Sequence, residues 1–214
     1  MQETKDINFV EKALDFVWNQ VVAGDGSWNP DTSCYALAEE YKISDKSIES
    51  CVENFIYWQA LKTTGTGFVL GLPGVVFMGV TIPADLASAT YLQLRMIAVI
   101  ALLHGWDIKS DRVRTLAYLS LLGSGASEAL RLAGVRAGTK FTAALLRNVP
   151  GAVLIAINKA VGFRLITKAG TTGVVNISKL IPIFGGLVSG GLNGFATRQI
   201  GNTAHYILKI GPNG

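Results

Sequence analysis

The sequence predicts an all-α protein, a glycine-rich apolar helical bundle with an acidic N-terminal helical extension. Three observations predict it. Apolar residues recur at helical spacing along much of the 214-residue chain. Half the residues are hydrophobic and only 16% are charged, a balance that excludes an intrinsically disordered chain. Charge and glycine then divide the chain at one place. Residues 1–62 hold five lysines, no arginine and eleven carboxylates, a net charge of −6, whereas residues 63–214 hold fourteen cations and four carboxylates, a net of +10. Of the 24 glycines, only Gly24 and Gly26 precede residue 63. The organisation read from this is an acidic helical extension, 1–62, followed by a basic, glycine-rich domain, 63–214. Such asymmetry points to an anionic partner or to an acidic head folded back on a basic body.

In the extension, Val10, Leu14, Val17, Trp18 and Val21 form one amphipathic stripe. Gly24-Asp25-Gly26 breaks it, and a short helix is expected from about Thr32 to Tyr41. Ser44 is the expected N-cap of the next helix, which carries Ile48, Val52, Phe55 and Ile56 on one face and Asp45, Glu49 and Glu53 on another.

The body opens with 22 uncharged residues, Thr63 to Ala84, between Lys62 and Asp85. The length suits a membrane span of about 20 residues, but five glycines and Pro73 do not suit a straight helix. A re-entrant hairpin, or two short helices broken at Leu72-Pro73-Gly74, fits better. Ile82-Pro83-Ala84-Asp85 opens the next helix, with Pro83 at its first position and Asp85 facing its positive end. That helix is apolar almost all round through Leu103, so protein or lipid buries it. Gln93 and Arg95 are its exceptions. Arg95 needs a counter-charge, with Asp107 and Glu128 as candidates, or an anionic ligand. His104-Gly105 reads as the helix end, with His104 in the last turn and Gly105 at C′. Ser110 or Asp111 caps the following helix, Val113 to Leu122.

On a further helix from Ala129 to Arg147, the cations Arg136, Lys140 and Arg147 share a stripe. Beyond Pro150-Gly151, Lys159, Arg164 and Lys168 lie on another helix, Arg164 and Lys168 as neighbours. Two readings of these cations stand, a solvated face and a docking face for anionic headgroups. A second uncharged run, Leu180 to Thr197, carries Gly186, Gly190 and Gly194, a glycine every fourth residue. On a helix these allow close backbone approach, inside a bundle or against a membrane neighbour.

The quoted body motifs resemble the EcsC family. The residues that carry the resemblance are Thr64-Gly65-Thr66-Gly67-Phe68, Gly71-Leu72-Pro73-Gly74, Ile82-Pro83-Ala84-Asp85-Leu86, Gln93-Leu94-Arg95-Met96-Ile97, His104-Gly105-Trp106-Asp107, and Pro182-Ile183-Phe184-Gly185-Gly186 onward to Gly194. They cover about residues 60–210, and the family usually has tyrosine where this chain has His104. The resemblance implies a bacterial, mainly helical protein working at or near membranes, with no agreed biochemical activity.

The functional expectation is a membrane-associated lipid-binding protein, cytoplasmic and peripheral to the inner face of the membrane. Gly71, Pro73, Gly74, Gly186, Gly190, Gly194 and Arg95 are its expected lipid-binding residues. Arg136, Lys140, Arg147, Arg164 and Lys168 are the expected membrane-surface cations, and Asp85, His104 and Asp107 the expected capping or ion-pair residues. The alternatives are an integral or pore-type protein, or a non-enzymatic adaptor of a membrane transporter. No catalytic site, metal or cofactor is expected: two histidines stand far apart in sequence, and no H-E-x-x-H, Walker A or G-x-S-x-G pattern occurs. Nucleic acid is not an expected partner, since the cations interleave with apolar helix and no reader motif is present. Met1 to Asp6 lacks the cationic and apolar regions of a secretory leader.

Overall fold

The chain's apolar stripes fold as an all-α bundle in a computed structural model that describes residues 2–24, 33–44, 47–64, 75–77, 80–82, 84–135, 150–168, 190–209 and 211–212. Helix α1 spans Gln2–Ala23, α2 Cys34–Ser44, α3 Ile48–Thr64, α4 Ala84–Leu103, α5 Asp111–Leu121, α6 Ala126–Leu132, α7 Gly151–Lys168 and α8 Gly190–Leu208. A short antiparallel hairpin, β1 Val75–Phe77 and β2 Val80–Ile82, precedes α4.

The stripe of α1 is buried at Val10, Leu14, Val17, Trp18 and Val21, as its spacing predicts. Gly24, at φ +58°, ends the helix and donates its N–H to the Gln20 carbonyl at 3.3 Å. Ser33 caps α2, its Oγ accepting the Ala36 N–H at 3.2 Å. Helix α2 runs to Ser44, three residues past the expected end. The cap of α3 is therefore Ser47, whose Oγ accepts the Ser50 N–H at 3.2 Å, not Ser44. Val52, Phe55 and Ile56 of α3 are buried, but Ile48 in its first turn is exposed.

Strands β1 and β2 correct the helical option for residues 63–84. Val75 pairs with Ile82, Val76 with Thr81 and Phe77 with Val80. The β-branched residues of this stretch suit a pleated ladder. Gly71, Pro73 and Gly74 lie outside the described residues, as does Pro83. Helix α4 opens at Ala84, with Asp85 in its first turn.

Protein buries α4. Leu94, Ile97, Ala98, Val99, Ile100 and Ala101 have no exposed surface. Each large member contributes about 1.5–3 kcal/mol of burial free energy. Gly105, at φ +80°, closes the helix in a Schellman motif: its N–H donates to the Leu102 carbonyl and the Trp106 N–H to that of Ala101. Ser110 caps α5, its Oγ accepting the Val113 N–H at 3.2 Å. The helix expected over 129–147 ends early. Gly134, at φ +76°, closes α6 by the same motif, with the Val135 N–H donating to Leu130 and the Gly134 N–H to Arg131. Arg136, Lys140 and Arg147 lie outside the described residues. Among the described residues, no helix is long and apolar enough to cross a membrane.

The helices share one hydrophobic core. Helix α1 packs on α4 and α7, α2 on α4, and α3 on α8 and α4. Acidic and basic segments meet where α1 crosses α5. The Tyr118 hydroxyl donates to Asp15 at 2.7 Å, and Arg114 Nε stands 3.6 Å from the same carboxylate. Helices α3 and α8 approach closely at Gly201. A Cβ on Gly201 would lie 2.9 Å and 3.0 Å from the γ-carbons of Ile56. Charge relations fix the direction of this pair: Glu49 and Glu53 of α3 act on His205 of α8. The two helices therefore run antiparallel.

Candidate functional site

The α3–α8 pair organises two groups of side chains, one at each end. At the first end the fold joins the chain's two histidines, 101 residues apart in sequence. His104 Nε2 and His205 Nδ1 lie 3.1 Å apart, one ring donating and the other accepting, with centroids 5.1 Å apart and planes tilted by 36°. Backbone and side-chain contacts hold the rings in place. His104 is the residue between α4 and Gly105, and Trp106 Nε1 donates to the Leu208 carbonyl at 2.8 Å. Gly211 packs so closely that a Cβ there would stand 3.1 Å from the His104 carbonyl oxygen.

Burial pulls His104 down to about 4, with His205 adding to the effect and Glu49 opposing it. Burial also lowers His205; Glu49 and Glu53 oppose that shift and Lys209 reinforces it. Both rings are thus neutral near pH 7. Neither Asp107 nor Ser120 is engaged with them. Asp107 Oδ1 accepts the Lys109 N–H at 2.9 Å, and the buried Ser120 hydroxyl donates to the Leu116 carbonyl at 2.7 Å. Asp107 thus holds the turn before α5. Among the described residues no three His, Cys, Asp or Glu side chains converge as a metal cluster.

At the other end, large apolar side chains face outward. Tyr57, Trp58 and Leu61 of α3 and Phe195 of α8 are all exposed, Phe195 to 68%. The Tyr57 and Trp58 rings meet edge to face at 5.6 Å. From the Ile56–Gly201 contact, Leu61 lies about 7.5 Å along α3 and Phe195 about 9 Å along α8, toward the same end because the helices are antiparallel. Tyr57 stands about 100° round α3 from Ile56, and Phe195 about 120° round α8 from Gly201 in the same rotational sense. For antiparallel neighbours those directions fall on one outer face. Arg198 is exposed one turn beyond Phe195 on α8, and Lys62 is exposed one turn beyond Trp58 on α3; neither forms an ion pair among the described residues.

Of the expected lipid-binding residues, Arg95, Gly190 and Gly194 fall among the described residues. Arg95 is partly buried on α4, near enough to α2 for its charge to act on Cys34. Glu128, one of its candidate partners, pairs with Arg131 at 2.6 Å. Gly190 opens α8 and Gly194 is buried in it, while Gly186 lies outside the described residues. Arg164 and Lys168 belong to the last turns of α7. The residues not anticipated are Tyr57, Trp58, Leu61 and Phe195, and the pairing of His104 with His205. Helical projection of α3 holds the signal for the former: Val52, Phe55, Ile56 and Ala60 fill its core side, leaving Tyr57, Trp58 and Leu61 outside.

Comparison with known proteins finds no matching family model, no matching curated protein and no matching solved structure.

Proposed function

We propose that this chain is an EcsC-like, non-enzymatic, membrane-associated lipid-binding protein that docks peripherally on the inner face of the membrane. The observation that carries the reading is the exposure of Tyr57 and Leu61 of α3 and Phe195 of α8 on one outer face, with Arg198 exposed on the same side and Trp58 and Lys62 exposed on the adjoining side of α3. Tyrosine and tryptophan suit the boundary between headgroups and acyl chains, because each has an apolar body and a polar tip. Leu61 and Phe195 supply apolar area for the outer acyl region. Each cation near an anionic surface contributes about 1 kcal/mol. Glu49 stands about two turns before Tyr57, whereas Glu53 is exposed one turn before it and opposes part of the attraction to an anionic surface. From Thr90 to Leu103 the apolar side chains of α4 are covered by the protein core, apart from the partly exposed Leu92 and Leu102.

Co-sedimentation with phosphatidylcholine vesicles, with and without phosphatidylglycerol, tests this reading. The expected result is binding that needs the anionic lipid and weakens with salt. The double variant Trp58→Ser with Phe195→Ser, at exposed positions, keeps the fold and weakens binding at least about tenfold, the equivalent of 1.4 kcal/mol. Binding that ignores both substitutions, or no binding by the unaltered chain, rejects it.

A further inference from the structure

The histidine pair is not explained by membrane docking. We infer that His104 and His205 form an acid-sensitive latch between the ends of α4 and α8, closed while one proton bridges the two rings and forced open when each bridging nitrogen carries its own. The 3.1 Å contact between His104 Nε2 and His205 Nδ1 requires an N–H on one nitrogen and a lone pair on the other. One added proton can go to the outer nitrogen of the donating ring, and the bridge survives. A second proton has only the bridging lone pair to occupy. Both bridging nitrogens are then donors, both rings are cationic, and the contact becomes repulsive. The rings belong to the seam that holds the end of α8 against the end of α4. In that seam Trp106 Nε1 donates to the Leu208 carbonyl, and Gly211 sits close against the His104 carbonyl oxygen. Trp106, Ile207 and Leu208 are buried, so parting of the rings loosens the last turn of α8 and uncovers these side chains.

Charge reaches the pair from two helices. From α3, Glu49 acts on both rings and Glu53 on His205, each favouring protonation; from α8, Lys209 opposes it at His205. The Lys209 ammonium lies 5.2 Å from the centre of the Tyr206 ring. In the turn after α4, Asp107 is committed to the Lys109 N–H, and Gly211 and Pro212 bring no charged side chain. Burial works against the charged form of both rings and outweighs the carboxylates. The closed pair therefore takes protons less readily than exposed imidazoles, whereas the opened pair takes them near the ordinary value of about 6.5. The latch is thus closed above about pH 6.5, and its stability is lost as the pH falls below that value. Opening frees both rings together and takes up between one and two protons, so the opening constant rises by more than tenfold, up to about a hundredfold, for each unit of pH decrease.

Nuclear magnetic resonance titration of the nitrogen-labelled full chain from about pH 8 to about pH 4 tests the inference. The Trp106 indole N–H, identified with Trp106→Phe, reports the seam; the imidazole nitrogens report protonation; and helical circular dichroism reports the rest of the fold. The expected result is that the rings become doubly charged in the same step in which the Trp106 signal leaves its bonded position, while the helical signal is retained. His205→Gln leaves one titrating ring in the seam, and the steepness of opening falls to at most about tenfold per pH unit. The titration of the unaltered chain is decisive by itself if His205→Gln does not fold. A Trp106 signal that stays in place while both rings become charged, or while either titrates at its ordinary value, overturns the inference. Loss of the helical signal in the same step makes the event general acid unfolding and overturns it equally, as does undiminished steepness in a folded His205→Gln.

Discussion

Gly201→Ala adds one methyl group at a tight point of the α3–α8 contact. The new carbon would meet Ile56 Cγ1 at 2.9 Å, Cγ2 at 3.0 Å and Cδ1 at 3.2 Å, where comfortable carbon–carbon contact is about 3.5–4.0 Å. Three atoms of one β-branched side chain crowd it at once, and Ile56 is itself buried, so it has little freedom to step aside. Overpacking of this kind costs about 1–3 kcal/mol. Alanine in place of glycine returns about 1 kcal/mol of helix propensity. The net expectation is a destabilisation of about 0–2 kcal/mol, at most a few degrees in Tm for a chain of this size. A double-mutant cycle separates the clash from the propensity gain. Ile56→Ala alone costs about 2–5 kcal/mol. Combined with Gly201→Ala, the new methyl occupies part of the space vacated, so the double variant is less destabilised than the sum by about 1 kcal/mol or more. Urea unfolding followed by helical circular dichroism reads all four corners. Additivity within about 0.3 kcal/mol, or a Gly201→Ala variant stabilised by its full propensity gain, refutes the close contact.

Three further outcomes follow from single residues. Burial pushes the Cys34 thiol up to about 11, with Arg95 opposing; at pH 8 the native protein should resist iodoacetamide at Cys34, and labelling at the rate of a free peptide thiol would contradict that burial. Burial and the bond to Asp15 raise the Tyr118 phenol far above its ordinary range, so the unfolded chain loses this proton first and stability falls as pH climbs above about 10. Ultraviolet titration should find one tyrosine that ionises only on unfolding, and Tyr118→Phe should remove it; a Tyr118 that titrates normally in the folded protein rules the reading out. Gly105→Ala and Gly134→Ala each force alanine into the left-handed region without a close neighbour to clash with, and each should cost about 1–2 kcal/mol by chemical denaturation, a neutral result at either position arguing against its Schellman turn.

What was legible in the sequence was local. The α1 stripe, the Ser110 cap and the Gly105 stop depend on residues within a few positions of one another, and the structure places them as their spacing demands. Errors arose where two local signals competed. Ser44 and Ser47 are both competent caps, and the longer run of α2 decides for Ser47. The continuous helix through 129–147 ignored Gly134, although Leu130 and Val135 flank it at the spacing that accompanies a Schellman motif. Between residues 63 and 84 glycine and proline mark the breaks and leave a hairpin and two short helices both open; the β-branched Val75, Val76, Val80, Thr81 and Ile82 favour the paired strands. The His104–His205 pair was out of reach altogether. One ring ends α4 and the other sits in the last turn of α8, so only the packing of those helices brings them together. Sequence distance had instead counted against any joint role.

The α3–α8 pair links the outer apolar residues to the histidine pair through one contact. Phe195 and His205 stand ten residues apart on one helix, about 15 Å along its axis, with the Gly201–Ile56 contact between them. Gly201→Val wedges the helices apart at that contact. If the fold survives, the shared outer face of Tyr57 and Phe195 is disturbed, and co-sedimentation with anionic vesicles should weaken. Undiminished vesicle binding by that folded variant would mean that binding does not depend on how the two helices are paired.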